Sequence, residues 1–282
     1  MRLLTIVGDL ADARPLGKHT LENYKRACVY FQNFVGKDVD VKDLHHRVVN
    51  QWLTSEESRY DAQYVRSLRR DLLVVWNFAA DAGLCDHPKS RLIRISKVED
   101  KAPTSWPLEW VPRLLIAAAR VEGLVRKIRI PRSVYAEAYL RVQLDLLCRP
   151  TDMRHLMWNS IKDGYIEWIQ HKTGKRHRMR IQAATARALE ALRGYDDKYV
   201  FPMGKTSTEI LIHKIFEIAG IKKPKKQSLG HLRHTGGTAI ATKSGCDAAR
   251  HALGHTASSR VFEAHYLDAT KVVQQGTTSW WE

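Results

Sequence analysis

Long apolar runs are absent from this sequence of 282 residues. No stretch approaches the roughly 18 consecutive apolar residues that a membrane-spanning helix needs. The apolar start at residues 3–7 is interrupted by Asp9 and Asp12, and a run of that length is too short for a signal peptide. We therefore expect an intracellular protein that has no membrane partner.

Cysteine is scarce as well, and no two cysteines stand in the C-x-x-C spacing typical of a metal or redox site. Buried, reduced thiols are the expected state of Cys28, Cys85, Cys148 and Cys246. His251 and His255 stand four residues apart, as two zinc ligands on a helix would. Ala252, however, occupies the place of the glutamate that the helical metalloprotease pattern requires. We expect no metal site and no cofactor.

Acidic residues are in deficit, with 30 Asp and Glu against 46 Lys and Arg, which gives a net charge of +16 and a pI near 9.8. This excess of positive charge favours a polyanionic partner, above all a nucleic acid. A hydrophobic fraction of 44% with 27% charged residues is typical of a folded protein rather than a disordered one. The length suffices for two domains, each with its own core.

Apolar residues recur at helical spacing through the first third of the chain. One helix is predicted between Thr20, a suitable N-cap, and Gly36, a suitable stop. A second is predicted within residues 38–53, and a third from about Asp61 to Ala82. Residues 1–93 are therefore predicted to form a small helical domain.

The periodicity fades over residues 94–106, which mix charge, proline and serine and are predicted to be a linker. Residues 107–282 are predicted to form a second domain. Helical spacing returns in that domain at 110–119, 133–148, 184–193 and 208–219. Residues 165–170 and a returning segment through Ile181 are typical of a β-hairpin with its turn at Lys172–Lys175. The predicted fold class is mainly α with a small β-hairpin, an α+β domain that follows a helical N-terminal domain.

Side chains able to act on a phosphate stand where predicted helices meet. Arg149 precedes Pro150, which suits the first turn of a new helix. Further along, Arg233, His255 and Tyr266 fall at the junctions of three short helical patterns. Guanidinium and imidazole groups can hold a phosphate. A phenol among them can attack it, because tyrosine can act as a covalent nucleophile.

The order Arg-His-Thr at 233–235, Leu-Gly-His at 253–255 and then Tyr266 resembles the C-terminal signature of the tyrosine recombinase, or phage integrase, family. Arg149 is followed by an acidic residue and a tryptophan at the spacing of that family's first arginine box. The helical domain at 1–93 resembles the family's core-binding domain, and the second domain resembles its catalytic domain with a C-terminal tail.

This resemblance implies a site-specific DNA recombinase that cleaves and rejoins DNA strands through a 3′-phosphotyrosyl intermediate, with neither metal nor ATP. It assigns catalytic roles to Arg149, Lys172, Arg233, His255 and Tyr266. The family carries its catalytic lysine on a β-hairpin, which points to Lys172 as the general acid, with Lys175 as the competing assignment.

The resemblance also implies partners and a location. The partner would be double-stranded DNA with recombination sites, bound by a homotetramer in the cytoplasm or on the nucleoid, as for an integrase of a phage or other mobile element. The third helix is expected to point its arginines outward, and they, the hairpin and the basic run at 222–226 are expected to contact DNA. The residues concerned are Arg66, Arg69, Arg70, Lys175, Arg176, Arg178, Lys222, Lys223, Lys225 and Lys226.

Two departures from the family pattern bear on this interpretation. Gly230 stands where the second arginine box has its first histidine, and His231, one place later, is the accessory candidate. Tyr266 lies slightly farther beyond His255 than the family spacing. Two alternatives follow: a type IB topoisomerase-like enzyme that religates the same strand, or a DNA-binding protein on a decayed recombinase scaffold.

Overall fold

The computed structural model describes residues 1–36, 38–98, 103–125, 129–224, 227, 229–256, 258 and 260–268. The chain divides into two compact units, Met1–Asp100 and Lys101–Glu282. The division falls within residues 94–106, the segment predicted to be the linker. None of the described helices is both long enough and apolar enough to cross a membrane.

The first unit is helical, as predicted. Its helices are α1 (Leu3–Ala13), α2 (Lys18–Val35), α3 (His46–Glu57) and α4 (Ala62–Asp81). Phe31 and Trp52 pack edge to face at its centre, with 5.3 Å between ring centroids, and both rings are fully buried. Such large aromatic side chains dominate the burial that holds a small bundle together.

The ends of these helices partly differ from the prediction. Gly36 ends α2 in the left-handed region, at φ 78°, as expected of a stop. The N-cap of α2 is Gly17, so Thr20 was the wrong cap and lies inside the helix. The helix α1 was not predicted at all, because its apolar residues were read as a short leader.

The arginines of α4 do not all point outward as predicted. Arg66 and Arg70 are exposed, and Arg70 pairs with the buried Asp71 at 2.9 Å. The prediction was wrong for Arg69, which does not point outward. Its Nη2 donates to the backbone carbonyls of Ser90, at 3.1 Å, and Ile93, at 3.3 Å. Desolvation lowers the pKa of this half-buried guanidinium. Arg69 therefore secures the end of its own unit.

Helices also dominate the second unit. They are α5 (Trp110–Ala118), α6 (Arg132–Leu146), α7 (Pro150–Arg154), α8 (Ala183–Glu190), α9 (Lys205–Ile218), α10 (His231–Ala252) and α11 (Val261–His265). The buried helix α6 supplies the middle of the core, where Tyr135 and Tyr139 pack edge to face on Phe201. The predicted fold class, helices with a small β element, is confirmed.

Within the described ranges, the strands form two small antiparallel sheets. One contains β1 (Leu124–Val125) and β2 (Ile130–Pro131), and the other β3 (Ile161–Lys162), β4 (Tyr165–Ile169) and β5 (Arg176–Arg180). The predicted hairpin is the pair β4 and β5, in which Glu167 lies opposite Arg178. Strands as short as β1, β2 and β3 leave too little alternation in the sequence to be predicted.

Candidate active site

Arg233 lies in the first turn of α10, and its side chain is almost fully buried, with 2% of the residue exposed. Its Nη1 donates to the backbone carbonyl of Leu147, and its Nη2 to that of Leu253. One carbonyl belongs to the segment before Arg149 and the other to the segment before His255. Arg233 therefore joins three motifs that are far apart in the sequence, and desolvation by burial lowers its pKa.

Two adjacent glycines let those segments approach α10. A Cβ on Gly236 would collide with the side chain of Leu147, and one on Gly237 would lie 2.9 Å from Cδ1 of Leu253. Leu147 itself adopts the left-handed region, at φ 45°. This conformation is uncommon for a non-glycine residue, and here it turns the Leu147 carbonyl towards Arg233.

Arg149 stands at the corner between α6 and α7, as predicted. Asp152, which is 3% exposed, accepts hydrogen bonds from the backbone N–H of Arg149 at 3.3 Å and of His171 at 2.9 Å. This buried carboxylate ties the corner to the hairpin loop. The Nη1 of Arg149 is buried and has no hydrogen-bond partner among the described residues, so it is a donor available to a bound anion.

Tyr266 follows α11 and is fastened at its backbone. The hydroxyl of Thr238 donates to the Tyr266 carbonyl at 3.3 Å and accepts from the backbone N–H of Asp268 at 3.0 Å. The Asp268 carboxylate accepts from the backbone N–H and hydroxyl of Ser105, at 2.9 and 3.1 Å. Arg250 also pairs with Glu263 of α11. The tyrosine is therefore held within its own unit.

The phenol ring of Tyr266 is surrounded by cationic and aromatic groups. The Cζ of Arg233 lies 5.2 Å from its ring centroid, His234 stacks on it at 4.7 Å, and His255 approaches edge-on at 5.1 Å. A cleft of about 400 Å³ opens beside this ring, and Arg149, Arg233, His231 and Tyr266 all line it. The two predicted arginines and the predicted tyrosine thus share one cavity.

His255 is half-buried beside the two arginines. Burial, followed by the charges of Arg233 and Arg149, lowers its pKa to about 4. The imidazole is therefore neutral near pH 7, and its Nε2 lies 3.4 Å from Nη2 of Arg233. With Arg233 as the donor, the remaining proton sits on Nδ1 of His255, a buried atom that has no partner among the described residues.

His231 begins α10 directly after Gly230, which is the N-cap. Its Nε2 lies 3.5 Å from Oγ1 of Thr104, and its ring lies 5.5 Å from that of Trp106. Burial lowers the pKa of His231. His231, the accessory candidate, lines the cleft. Its ring packs between those of Trp106 and His234 and not against Tyr266 itself.

The hairpin loop packs against the turn that carries His255, since a Cβ on Gly254 would lie 2.8 Å from Nε2 of Gln170. Gln170, which is 2% exposed, accepts at its backbone carbonyl from Gly174 at 2.8 Å. The loop leaves Lys172 and Lys175 exposed, and neither lines the cleft that contains Tyr266. The charge of Lys175 contributes to the lowered pKa of His255, so Lys175 lies within electrostatic reach of the site.

Most of the basic residues predicted to contact DNA are on the surface. Arg176 and Arg178 are exposed on β5, and Arg178 pairs with Glu167 at 3.2 Å. Lys222 is exposed and Lys223 is half-buried. Lys225, Lys226 and the C-terminal tail at 269–282 lie outside the described residues.

Two contacts of the site were not predicted from the sequence. One is the contact of His234 with the phenol, which follows from a histidine one residue after the buried Arg233. The other is the bond between Ser105 and Asp268, which are distant in sequence. No local pattern gives a long-range bond of this kind, since both residue types are common on protein surfaces.

No family profile and no curated protein matches this sequence. Solved structures do match. A lambda integrase dimer bound to a COC′ core site matches with a TM-score of 0.74 at 14% identity, over 99% of this chain and 98% of that chain. The Tn1549 transposon integrase in complex with circular intermediate DNA has a TM-score of 0.68 at 11% identity, over 94% and 95%.

XerH, a site-specific recombinase bound to palindromic difH substrate in a post-cleavage complex, has a TM-score of 0.68 at 15% identity, over 87% of this chain and 75% of that chain. These neighbours are two integrases and a site-specific recombinase, each in complex with DNA. The chain has the fold of these integrases and recombinases, which is the fold that the arginine boxes led us to expect.

Proposed function

We propose that this protein is a site-specific DNA recombinase that cleaves and rejoins DNA strands through a 3′-phosphotyrosyl intermediate. The observation that carries the proposal is the shared cleft of Arg149, Arg233 and Tyr266. The fold is that of enzymes whose solved structures include an integrase dimer on a core site and an integrase tetramer on a Holliday junction. Double-stranded DNA is the proposed partner, and a homotetramer on DNA the proposed assembly.

In the proposed reaction, the phenol oxygen of Tyr266 attacks a backbone phosphorus, and the bond from phosphorus to the 5′ oxygen breaks. Arg149 and Arg233 neutralise charge that grows on the non-bridging oxygens. A guanidinium has five N–H groups. On Arg233 two of them go to carbonyls and one to Nε2 of His255, so two remain for a phosphate. The neutral His255 adds its Nδ1–H to the same anion. Because these groups stabilise the charge, the proposed reaction needs no metal. It needs no ATP, because the phosphotyrosyl ester keeps the energy of the broken phosphodiester for the rejoining step.

The departing 5′ oxygen needs a proton, which we assign to a lysine of the hairpin loop. Lys172 stands in the lysine-threonine-glycine context of the family. Lys175 is the competing assignment, and its effect on the pKa of His255 favours it. Both side chains are exposed, so either ammonium group can reach a DNA strand that lies against the hairpin loop and donate a proton to the departing oxygen.

The phenol proton lacks the usual acceptor, since Gly230 replaces the histidine of the box. We assign the proton to water or to His231. The test is single-turnover cleavage by His231→Ala protein. A lowered rate supports a role for His231, and an unchanged rate leaves water as the acceptor.

The proposal is tested by incubating the protein with a pool of duplexes that have random central sequences, and then denaturing the mixture. We expect a covalent protein–DNA adduct that Tyr266→Phe protein does not form. Sequencing the DNA ends on the adduct gives the preferred site. No adduct from the wild type over the whole pool would favour the DNA-binding protein on a decayed scaffold.

A second assay separates recombination from topoisomerase-like religation. Two labelled duplexes that contain the recovered site are incubated together, and a supercoiled plasmid that carries the site is assayed in parallel. Joint products from the two duplexes support the recombinase. Relaxed plasmid without joint products identifies the type IB topoisomerase-like alternative.

A further inference from the structure

A column of stacked rings ends at Tyr266. The ring centroids of His231 and His234 lie 4.6 Å apart, with 20° between the planes. Those of His234 and Tyr266 lie 4.7 Å apart, with 30° between the planes. Offset stacking at these distances is a favourable arrangement of aromatic groups. His234 is therefore the histidine that covers a face of the phenol, whereas His255 meets the ring edge-on.

The chemistry of His234 suits a residue that positions the phenol better than one that accepts its proton. Burial, followed by the charges of His231, Arg233 and His265, lowers its pKa to about 4. The ring is neutral near pH 7, so it can lie beside the Arg233 guanidinium without a second positive charge. An imidazole of such low pKa is a poor acceptor for a phenol proton, whose ordinary pKa is about 10.

The position of His234 on α10 also suits a positioning role. It follows Arg233 directly, and Arg233 is fixed by the carbonyls of Leu147 and Leu253. A ring carried by so constrained a turn can limit the rotation of the phenol stacked on it. Restricting a nucleophile to its attacking orientation removes an entropic cost from the reaction.

We infer that His234 is a positioning residue that holds the phenol ring of Tyr266 by stacking, in a site whose second arginine box lacks its usual histidine. The inference rests on the proposed function, because it concerns the same nucleophile. It predicts that an aromatic face is needed at position 234, and that a titratable nitrogen is not.

The test compares His234→Phe with His234→Ala in single-turnover cleavage of the duplex recovered from the random pool, at saturating DNA. We expect His234→Ala to cleave about ten-fold more slowly than the wild type, and His234→Phe to stay within about three-fold of it. Equal loss in both variants would show that the nitrogen is required and overturn the inference. An unaffected His234→Ala rate would also overturn it.

A second readout needs no DNA. Tyr266 is replaced by 3-fluorotyrosine, and its fluorine NMR resonance is compared among the wild type and the two variants. We expect a large shift in His234→Ala and a smaller one in His234→Phe, since a stacked ring shields the fluorine. A resonance that His234→Ala leaves unchanged overturns the inference, whatever the enzyme does.

Two controls keep the outcomes separate. If the wild type forms no adduct, the proposed function fails, whereas an adduct with an unaffected His234→Ala rate overturns only the role of His234. If His234→Ala melts below the assay temperature, His234→Leu replaces it, because leucine fills the space without an aromatic face. Slow cleavage by His234→Leu supports the inference, and wild-type cleavage overturns it.

Discussion

The backbone of Gly254 lies directly against the imidazole of His177, so that a Cβ at position 254 would collide with the Cε1 atom of that ring. Gly254 also adopts the left-handed region, at φ 69°. The contact joins β5 of the hairpin to the turn that carries His255. A residue with no side chain is therefore required in the middle of the Leu-Gly-His motif.

Gly254→Ala is expected to destabilise the protein and to displace the hairpin from His255. The matched control is Gly174→Ala, because Gly174 has a similar φ of 68° and open space around its Cβ position. Backbone strain alone costs about 1–2 kcal/mol, and the collision adds about 1–3 kcal/mol. Chemical denaturation should show the larger loss for Gly254→Ala. Equal losses would contradict the importance of the contact.

Replacing Arg233 or Arg149 with lysine keeps the positive charge and removes the planar guanidinium, so it tests whether the hydrogen bonds of each arginine hold the fold. Arg233→Lys is expected to lose the fork that binds two carbonyls at once, which lowers the free energy of unfolding by about 1–3 kcal/mol, and also to abolish adduct formation. Arg149→Lys is expected to lose cleavage with a smaller loss of stability, since Arg149 is only half-buried. Denaturation curves and the adduct gel check both effects. Equal destabilisation by the two changes would argue against Arg233 as the anchor.

The general acid is identified by changing the leaving group. A duplex with sulfur in place of the 5′ bridging oxygen needs no protonation, because a thiolate leaves readily. If Lys172 is the acid, Lys172→Ala slows cleavage of the oxygen substrate and not of the sulfur substrate, while Lys175→Ala slows neither selectively. The opposite pattern assigns the role to Lys175. A selective effect from neither lysine would remove the hairpin from proton transfer.

Acid is expected to destabilise the folded protein. The pKa values of His234 and His255 are lowered to about 4, below the ordinary value near 6.5. Between these values the unfolded chain binds more protons than the folded one, so stability rises with pH over this window and is lost as pH falls from about 6.5 towards 4.

Thermal unfolding at pH 7 and pH 5 measures this effect. The double variant His234→Gln, His255→Gln should lose less of its melting temperature between the two pH values than the wild type does. Both partly exposed rings contribute, so the double variant is more informative than either single change. A wild-type loss that the double variant reproduces would assign the acid sensitivity to other groups.

Much of the fold was predictable because the long helices have strong apolar periodicity. Leu68, Leu72, Val75 and Ala79 recur at helical spacing, and all four are buried on α4. The helix α1 was missed for the opposite reason: its apolar residues form a nearly continuous start without a cap signal. Arg69 was misplaced because helical spacing gives a direction, and long arginine side chains can bend back to nearby carbonyls.

The sequence predicted which residues form the site and their order along the chain. It did not predict the contacts that hold these residues in place. Periodicity placed Arg149 before a helix and Arg233 at a junction of helical patterns, and family resemblance suggested that they meet. The two carbonyls that hold Arg233, the left-handed Leu147 and the glycines beside it depend on close packing between distant segments. Such contacts are set by the tertiary structure, which no local window of sequence contains.

Thr238, Asp268 and Ser105 hold Tyr266 within its own chain, which bears on how copies of the protein would act together. The phenol oxygen of Tyr266 and both guanidinium groups belong to one polypeptide, so each molecule would contain a complete set of the proposed catalytic groups. A mixture of Tyr266→Phe and Arg233→Ala proteins should then contain no competent centre and yield no adduct. If the protein assembles on DNA, the other copies would then contribute none of the groups that cut a strand.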